Sequence, residues 1–141
     1  MTHWFDHFGI IVNNLDEAQK LYSNLLGLPP WDRGIVKVPE DGLQVVIFPY
    51  GDISLELIEP IDHETRFSKF LKEKGEGLFH ICIFTDDFDN EVRELREKGF
   101  TLQEEDAKGP FEDHRIRLVW LPPETTRGHW IELVDAASVP K

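Results

Sequence analysis

Two histidines and two glutamates stand at matching places in a chain that otherwise fills its strands with apolar residues. His7 sits in Phe5-Asp6-His7-Phe8-Gly9-Ile10-Ile11-Val12 and His80 in Gly77-Leu78-Phe79-His80-Ile81-Cys82-Ile83-Phe84. Glu56 lies in Leu55-Glu56-Leu57-Ile58 and Glu132 in Ile131-Glu132-Leu133-Val134. A carboxylate in an apolar strand is costly unless it is paired, or shifts its pKa. Two ionised glutamates and two neutral histidines balance the charge of one divalent cation, which removes that cost. The expected metal ligands are therefore His7, Glu56, His80 and Glu132. With nitrogen and oxygen donors and no thiolate, the set suits a six-coordinate Co²⁺, Mn²⁺, Ni²⁺, Fe²⁺ or Zn²⁺. Four protein ligands leave two positions open, enough to chelate a substrate through neighbouring oxygens. Such an ion is a Lewis acid for proton loss beside a carbonyl. A ligand carboxylate, Glu132 or Glu56, could serve as the catalytic base.

The elements that would carry these residues repeat. Residues 5–13 read as a strand, and Asn14 with Glu17 three residues on reads as a helix start. Leu15, Ala18, Tyr22 and Leu25 share one helical face, Gly27 caps the end, and Pro29-Pro30 bars continuation. Strands are expected at 34–38, 43–49 and 53–59. A connector with one short amphipathic helix, Arg66 to Lys74, follows. The order then restarts: a strand over 79–85, Asp87 as N-cap, a helix with Phe88, Val92 and Leu95 on one face, and Gly99 at its end. A weak strand over 100–104 and strands over 114–121 and 129–135 complete it. His7 precedes Asn14 by seven residues and His80 precedes Asp87 by seven, so the frame is shared. The expected division is a single domain, 1–141, with module 1 over 5–60, connector 61–77 and module 2 over 78–136.

Alternation along a strand puts Trp130 on the face of Glu132 and Cys82 on that of His80, so both are expected to line the substrate pocket. Arg115 and Arg117 share a strand face and could meet an anionic group of the substrate. His3, His63, His114 and His129 are not expected to be ligands.

Bulk properties narrow the partners to small molecules. A net charge of −12 argues against nucleic acid and against an anionic membrane surface. No apolar run reaches the roughly 20 residues a membrane span needs. One cysteine allows no disulfide within the chain, which suits a reducing compartment. The first residues lack a basic stretch followed by an apolar one. The expected location is cytoplasmic.

On these residues, together with Leu15-Asp16-Glu17-Ala18, Leu26-Gly27-Leu28, Pro39-Glu40-Asp41-Gly42-Leu43 and Phe70-Leu71, the chain resembles the vicinal oxygen chelate superfamily of glyoxalases, bleomycin resistance proteins and dioxygenases. Among its members it is most similar to the methylmalonyl-CoA epimerases. The resemblance implies an α+β fold of two tandem βαβββ modules forming a cupped, partly open mixed β-barrel, a homodimer, and the same four ligands. It implies a 1,1-proton transfer through a metal-stabilised enolate on a small substrate, an acyl-CoA thioester in the epimerases. A glyoxalase of the lactoylglutathione lyase type, an extradiol-like dioxygenase and a non-catalytic binding or resistance protein are the alternatives. The epimerases usually carry His-His where this chain has Phe79-His80, and His-Pro where it has Leu121-Pro122-Pro123.

Overall fold

A computed structural model describes residues 2–110 and 115–140. The chain contains β1 (His3–Ile11), α1 (Leu15–Leu26), β2 (Val36–Val38), β3 (Leu43–Tyr50), β4 (Ile53–Pro60), α2 (Arg66–Lys74), β5 (Gly77–Thr85), α3 (Phe88–Glu97), β6 (Gln103–Ala107), β7 (Ile116–Leu121), α4 (Pro123–Thr126) and β8 (Trp130–Asp135). It divides into two compact units. One is His7–Phe79; the other joins the residues up to Asp6 with the chain from His80 onward. Each carries the expected strand–helix–three-strand order, so the fold is α+β with two βαβββ modules.

In the His7–Phe79 unit the strands run β2-β3-β4-β1. β1 lies parallel to β4, while β3 is antiparallel to both β2 and β4. The sequence starts α1 sharply: the Asn14 side chain accepts from the Glu17 backbone N–H at 3.0 Å, a cap of a kind that contributes about 1 kcal/mol. Glu59 adds a second acceptor, taking the Leu15 N–H at 2.7 Å. The expected C-cap is also present, with Gly27 in the left-handed region at φ 68°. Leu15 and Ala18 bury against Val46, Phe48 and Leu57 of the sheet, with Ile10 and Leu55 beside them. By strand alternation the whole of this set points to one face. His7, Gly9, Ser54, Glu56 and Ile47 therefore point to the other.

The connector forms α2 over the expected residues. Its start is a reciprocal capping box between Thr65 and Ser68, which the charged surroundings hid in the sequence. Phe67 and Phe70 pack on the wholly buried Phe79, with ring centroids 4.8 and 5.2 Å away. Gly42 holds the approach to this connector. Its carbonyl accepts from the backbone N–H groups of Ile61 and Asp62 at 2.7 and 2.9 Å. Its φ is 69°, and a Cβ there would stand 2.5 Å from the Asp62 Cβ. Gly42→Ala is therefore expected to lower stability by about 2 kcal/mol or more, read as a shift in the urea midpoint at constant slope.

In the second unit the strands run β5-β8-β7-β6, with β5 parallel to β8 and the other neighbours antiparallel. Phe88 and Val92 of α3 bury against Val119, Leu121 and Leu133, flanked by Ile83 and Ile131. Asp87 precedes the helix as expected, but its side chain caps no backbone N–H and instead accepts from the Asn90 amide at 3.1 Å. The first residues of β1 also belong here. Asp86 N–H donates to the Thr2 carbonyl at 2.9 Å, and His3 Nδ1 lies 2.8 Å from a Glu91 carboxylate oxygen. β6 falls three residues later than expected, because Leu102 turns into the core before pairing begins. Between the strands expected over 114–121 and 129–135 lies the short α4, closed by Arg127 at φ 75°.

Candidate metal centre

Each module builds one imidazole–carboxylate pair by the same construction. In the first, His7 on β1 is the register partner of Ser54 on the parallel β4, and Glu56 stands two residues beyond on the same face. In the second, His80 on β5 partners Trp130 on the parallel β8, and Glu132 again stands two residues beyond. The diagonal offset is identical, and so is the outcome. His7 Nε2 lies 3.6 Å from Glu56 Oε1, and His80 Nε2 lies 3.5 Å from Glu132 Oε1. In both pairs the face is the one opposite the covering helix.

These separations are informative about chemistry. They exceed the usual 2.7–3.2 Å of an N–H···O hydrogen bond. Two donors bonded to one ion at about 2.1 Å stand about 3.0 to 3.5 Å apart, depending on the angle between them. The carboxylate side chains are only 13% exposed, and the His80 ring only 3%. A nearly buried carboxylate needs a positive partner. An imidazole nitrogen at this distance leaves room for a cation to be that partner. The donor set, two imidazole nitrogens and two carboxylates, fits a hard or borderline divalent ion.

The surroundings of the two pairs differ. Beside Glu56 the register places Gly9 on β1 and Ile47 on β3. Beside Glu132 it places Cys82 on β5 and Trp120 on β7. Cys82 and Trp130 thus share the face of His80 and Glu132, and Cys82 is wholly buried. The Trp120 ring stands edge-to-face with both His80 and Trp130, at 5.5 and 5.7 Å between centroids. Its Nε1 donates to Glu105 Oε2 at 2.5 Å. Neither Trp120 nor Glu105 stood out in the sequence, because their closeness to His80 depends on the β6–β7–β8 register.

The two arginines are elsewhere. Arg117 follows the opposite parity to Trp120 and lies on the α3 side of its sheet. It ion-pairs with Asp89 and, at 3.6 Å, with Asp135, and its guanidinium covers the Phe88 ring at 4.8 Å. The Asp89 hydrogen bond, reinforced by that carboxylate's charge, holds its pKa above the ordinary arginine value. Arg115 is exposed just before β7 and donates to the Asp106 carbonyl. The structure thus brings neither arginine to the His80/Glu132 face. His3 is occupied by Glu91, and the His129 carbonyl accepts from the Thr126 hydroxyl. His114 falls outside the described residues. No helix among the described residues is long and apolar enough to cross a membrane.

Comparison with known proteins agrees with this construction. The model of the glyoxalase/bleomycin resistance protein/dioxygenase superfamily matches residues 6–117. Mitochondrial methylmalonyl-CoA epimerase of Bos taurus is 31% identical over 132 residues, covering 93% of this chain and 73% of that protein. A hypothetical protein from Bacillus halodurans superposes with a TM-score of 0.82 at 25% identity, over 100% of this chain and 99% of that one. Streptomyces coelicolor methylmalonyl-CoA epimerase, in a variant complexed with 2-nitronate-propionyl-CoA, superposes with a TM-score of 0.78 at 25% identity, over 97% of this chain and 99% of that one. Duplicated modules, paired histidine and glutamate at each, and a family match that spans His7 and His80 lead to one assignment: the chain belongs to the glyoxalase/bleomycin resistance protein/dioxygenase superfamily.

Proposed function

We propose that this protein is a divalent-metal-dependent isomerase that moves a proton off and back onto the carbon between two carbonyl groups, with a methylmalonyl-CoA-like thioester as substrate. The observation that carries the reading is the repeated pair: one imidazole and one carboxylate per module, at the same diagonal offset and within 0.1 Å of the same separation (3.6 against 3.5 Å). Resemblance to epimerases over nearly the whole chain supports the substrate class. His7, Glu56, His80 and Glu132 together would hold the ion. When bound, it would supply Lewis-acid polarisation of a substrate carbonyl, which makes the adjacent carbon acidic.

The residues supply the rest. The two imidazoles present Nε2 as the donor, and the low exposure of all four side chains limits the water that reaches the carboxylates. Glu132 or Glu56 takes the proton from one side of the substrate carbon and exchanges it with solvent, and the carbon is reprotonated on its opposite side. Trp130 and Cys82 line the His80/Glu132 face. The protein acts as a homodimer in the cytoplasm, binding a small-molecule thioester.

The test is solvent exchange. Incubated in D₂O with methylmalonyl-CoA, the metal-loaded protein is expected to place deuterium at the carbon between the carbonyls, and chelation of the ion to stop it. Mass spectrometry of the recovered thioester reads both. Metal-loaded protein that leaves this carbon unexchanged would overturn the epimerase reading.

A further inference from the structure

Beside the second pair stands an indole, where the first module has an isoleucine. Trp120 is the register partner of Glu132 and stands edge-to-face with His80, so it touches the surroundings of both donors. Trp120 is 3% exposed and His80 2%. Rotation of the indole about its own side-chain bonds would change what the imidazole leans on. One hydrogen bond opposes that rotation, from Trp120 Nε1 to Glu105 Oε2 at 2.5 Å. Glu105 reaches it diagonally, since its own register partner is Leu118. In the first module the corresponding position beside Glu56 is Ile47, which has no polar atom to tie down.

We propose that Glu105 and Trp120 act as a positioning pair for the His80/Glu132 donors. Glu105 fixes the indole, and the indole fixes the plane of the imidazole, so that Nε2 stays directed toward Glu132 and the ion. Outer groups that orient a ligand histidine commonly change metal affinity by 10–100-fold when removed. Here the orienting contact is the face or edge of an aromatic ring, and the polar anchor lies one residue further out. The inference rests on the reading that these donors hold a divalent ion.

Calorimetric titration of the metal-free protein with Co²⁺, together with the visible absorption of the bound ion, tests it. Glu105→Leu removes the acceptor, and Trp120→Phe removes the donor while keeping an aromatic ring. Each is expected to weaken Co²⁺ binding by about 10-fold or more and to alter the Co²⁺ spectrum. Glu105→Gln keeps an acceptor oxygen and is expected to stay within about two-fold of the parent protein. The double variant, Glu105→Leu with Trp120→Phe, is expected to be no weaker than the worse single one, because both break one link. Unchanged affinity and spectrum in Glu105→Leu and Trp120→Phe would overturn the inference, as would losses that add in the double variant. Should Glu105→Leu fail to fold, Trp120→Phe and Glu105→Gln decide it alone. A parent protein that takes up no Co²⁺ would instead overturn the metal reading itself.

Discussion

His80→Ala is expected to lower deuterium exchange into methylmalonyl-CoA by about 1,000-fold or more, the scale of losing a catalytic group together with the electrostatic stabilisation it helps to hold. His80 is nearly buried beside Glu132, 3.5 Å from its Oε1. Removing the imidazole takes away one donor and leaves that carboxylate without its neighbouring ligand for the ion. Co²⁺ uptake is expected to fall in parallel. His7→Ala should act in the same direction, because the first pair has the same geometry. Glu132→Gln separates the roles. It keeps the shape and an oxygen donor but removes the charge and the proton-accepting group. If Glu132 is the base, exchange falls far more than Co²⁺ affinity; if Glu56 is, Glu56→Gln shows that split instead. His129→Ala is the control, since among the described residues it is the backbone carbonyl of that residue that is engaged. Parent-like Co²⁺ uptake and exchange in both His7→Ala and His80→Ala would remove the two-pair site from consideration.

The two histidine–glutamate pairs were legible because their constraints are local and repeated. Period-two alternation fixes which residues share a strand face, so Cys82 and Trp130 could be placed with His80 and Glu132 before any register was known. Asn14, Gly27 and the bounds of α2 were readable for the same reason: caps and amphipathic faces depend on a few consecutive residues. What depends on pairing between distant strands was hidden. Arg117 looks like an anion-binding residue when only its own strand is considered. Its parity relative to Glu132 is decided by the β7–β8 register, which pairs Trp120 with Glu132 and sends Arg117 to Asp89 and Asp135. Glu105 was hidden in the same way. It lies in a run of acidic residues, Glu104-Glu105-Asp106, that reads as a solvated edge until β6 is paired with β7. The placement of His3 and Trp4 in the unit with Phe84 and Glu91 has no local signature either.

Phe79→Ala is expected to cost about 3–5 kcal/mol of stability, as large aromatic truncations in closed cores do. For a chain of this size that lowers Tm by about 10–17 °C. On the resemblance read from the sequence, Phe79 stands where a histidine is expected, next to His80, and could be taken for an altered part of the site. Strand alternation says otherwise. Adjacent residues on β5 point to opposite faces, and Phe79 is wholly buried against Phe67 and Phe70 of α2, with the Lys74 ammonium 5.5 Å over the Phe70 ring. Its substitution should therefore act on the docking of α2 and leave the donors in place. Co²⁺ affinity of the folded fraction is expected to match the parent protein, while urea and heat unfold it earlier. Phe79→His is the sharper version. It introduces the histidine that the resemblance leads one to expect, yet sets a polar ring between two phenylalanines at a wholly buried position, at a cost of about 1–3 kcal/mol. Tighter Co²⁺ binding or faster exchange in Phe79→His would show that this residue reaches the site after all. Lower Tm with unchanged Co²⁺ binding would confirm that the departure from the family's usual pair is a change in how the connector helix is held, separate from the chemistry one residue along.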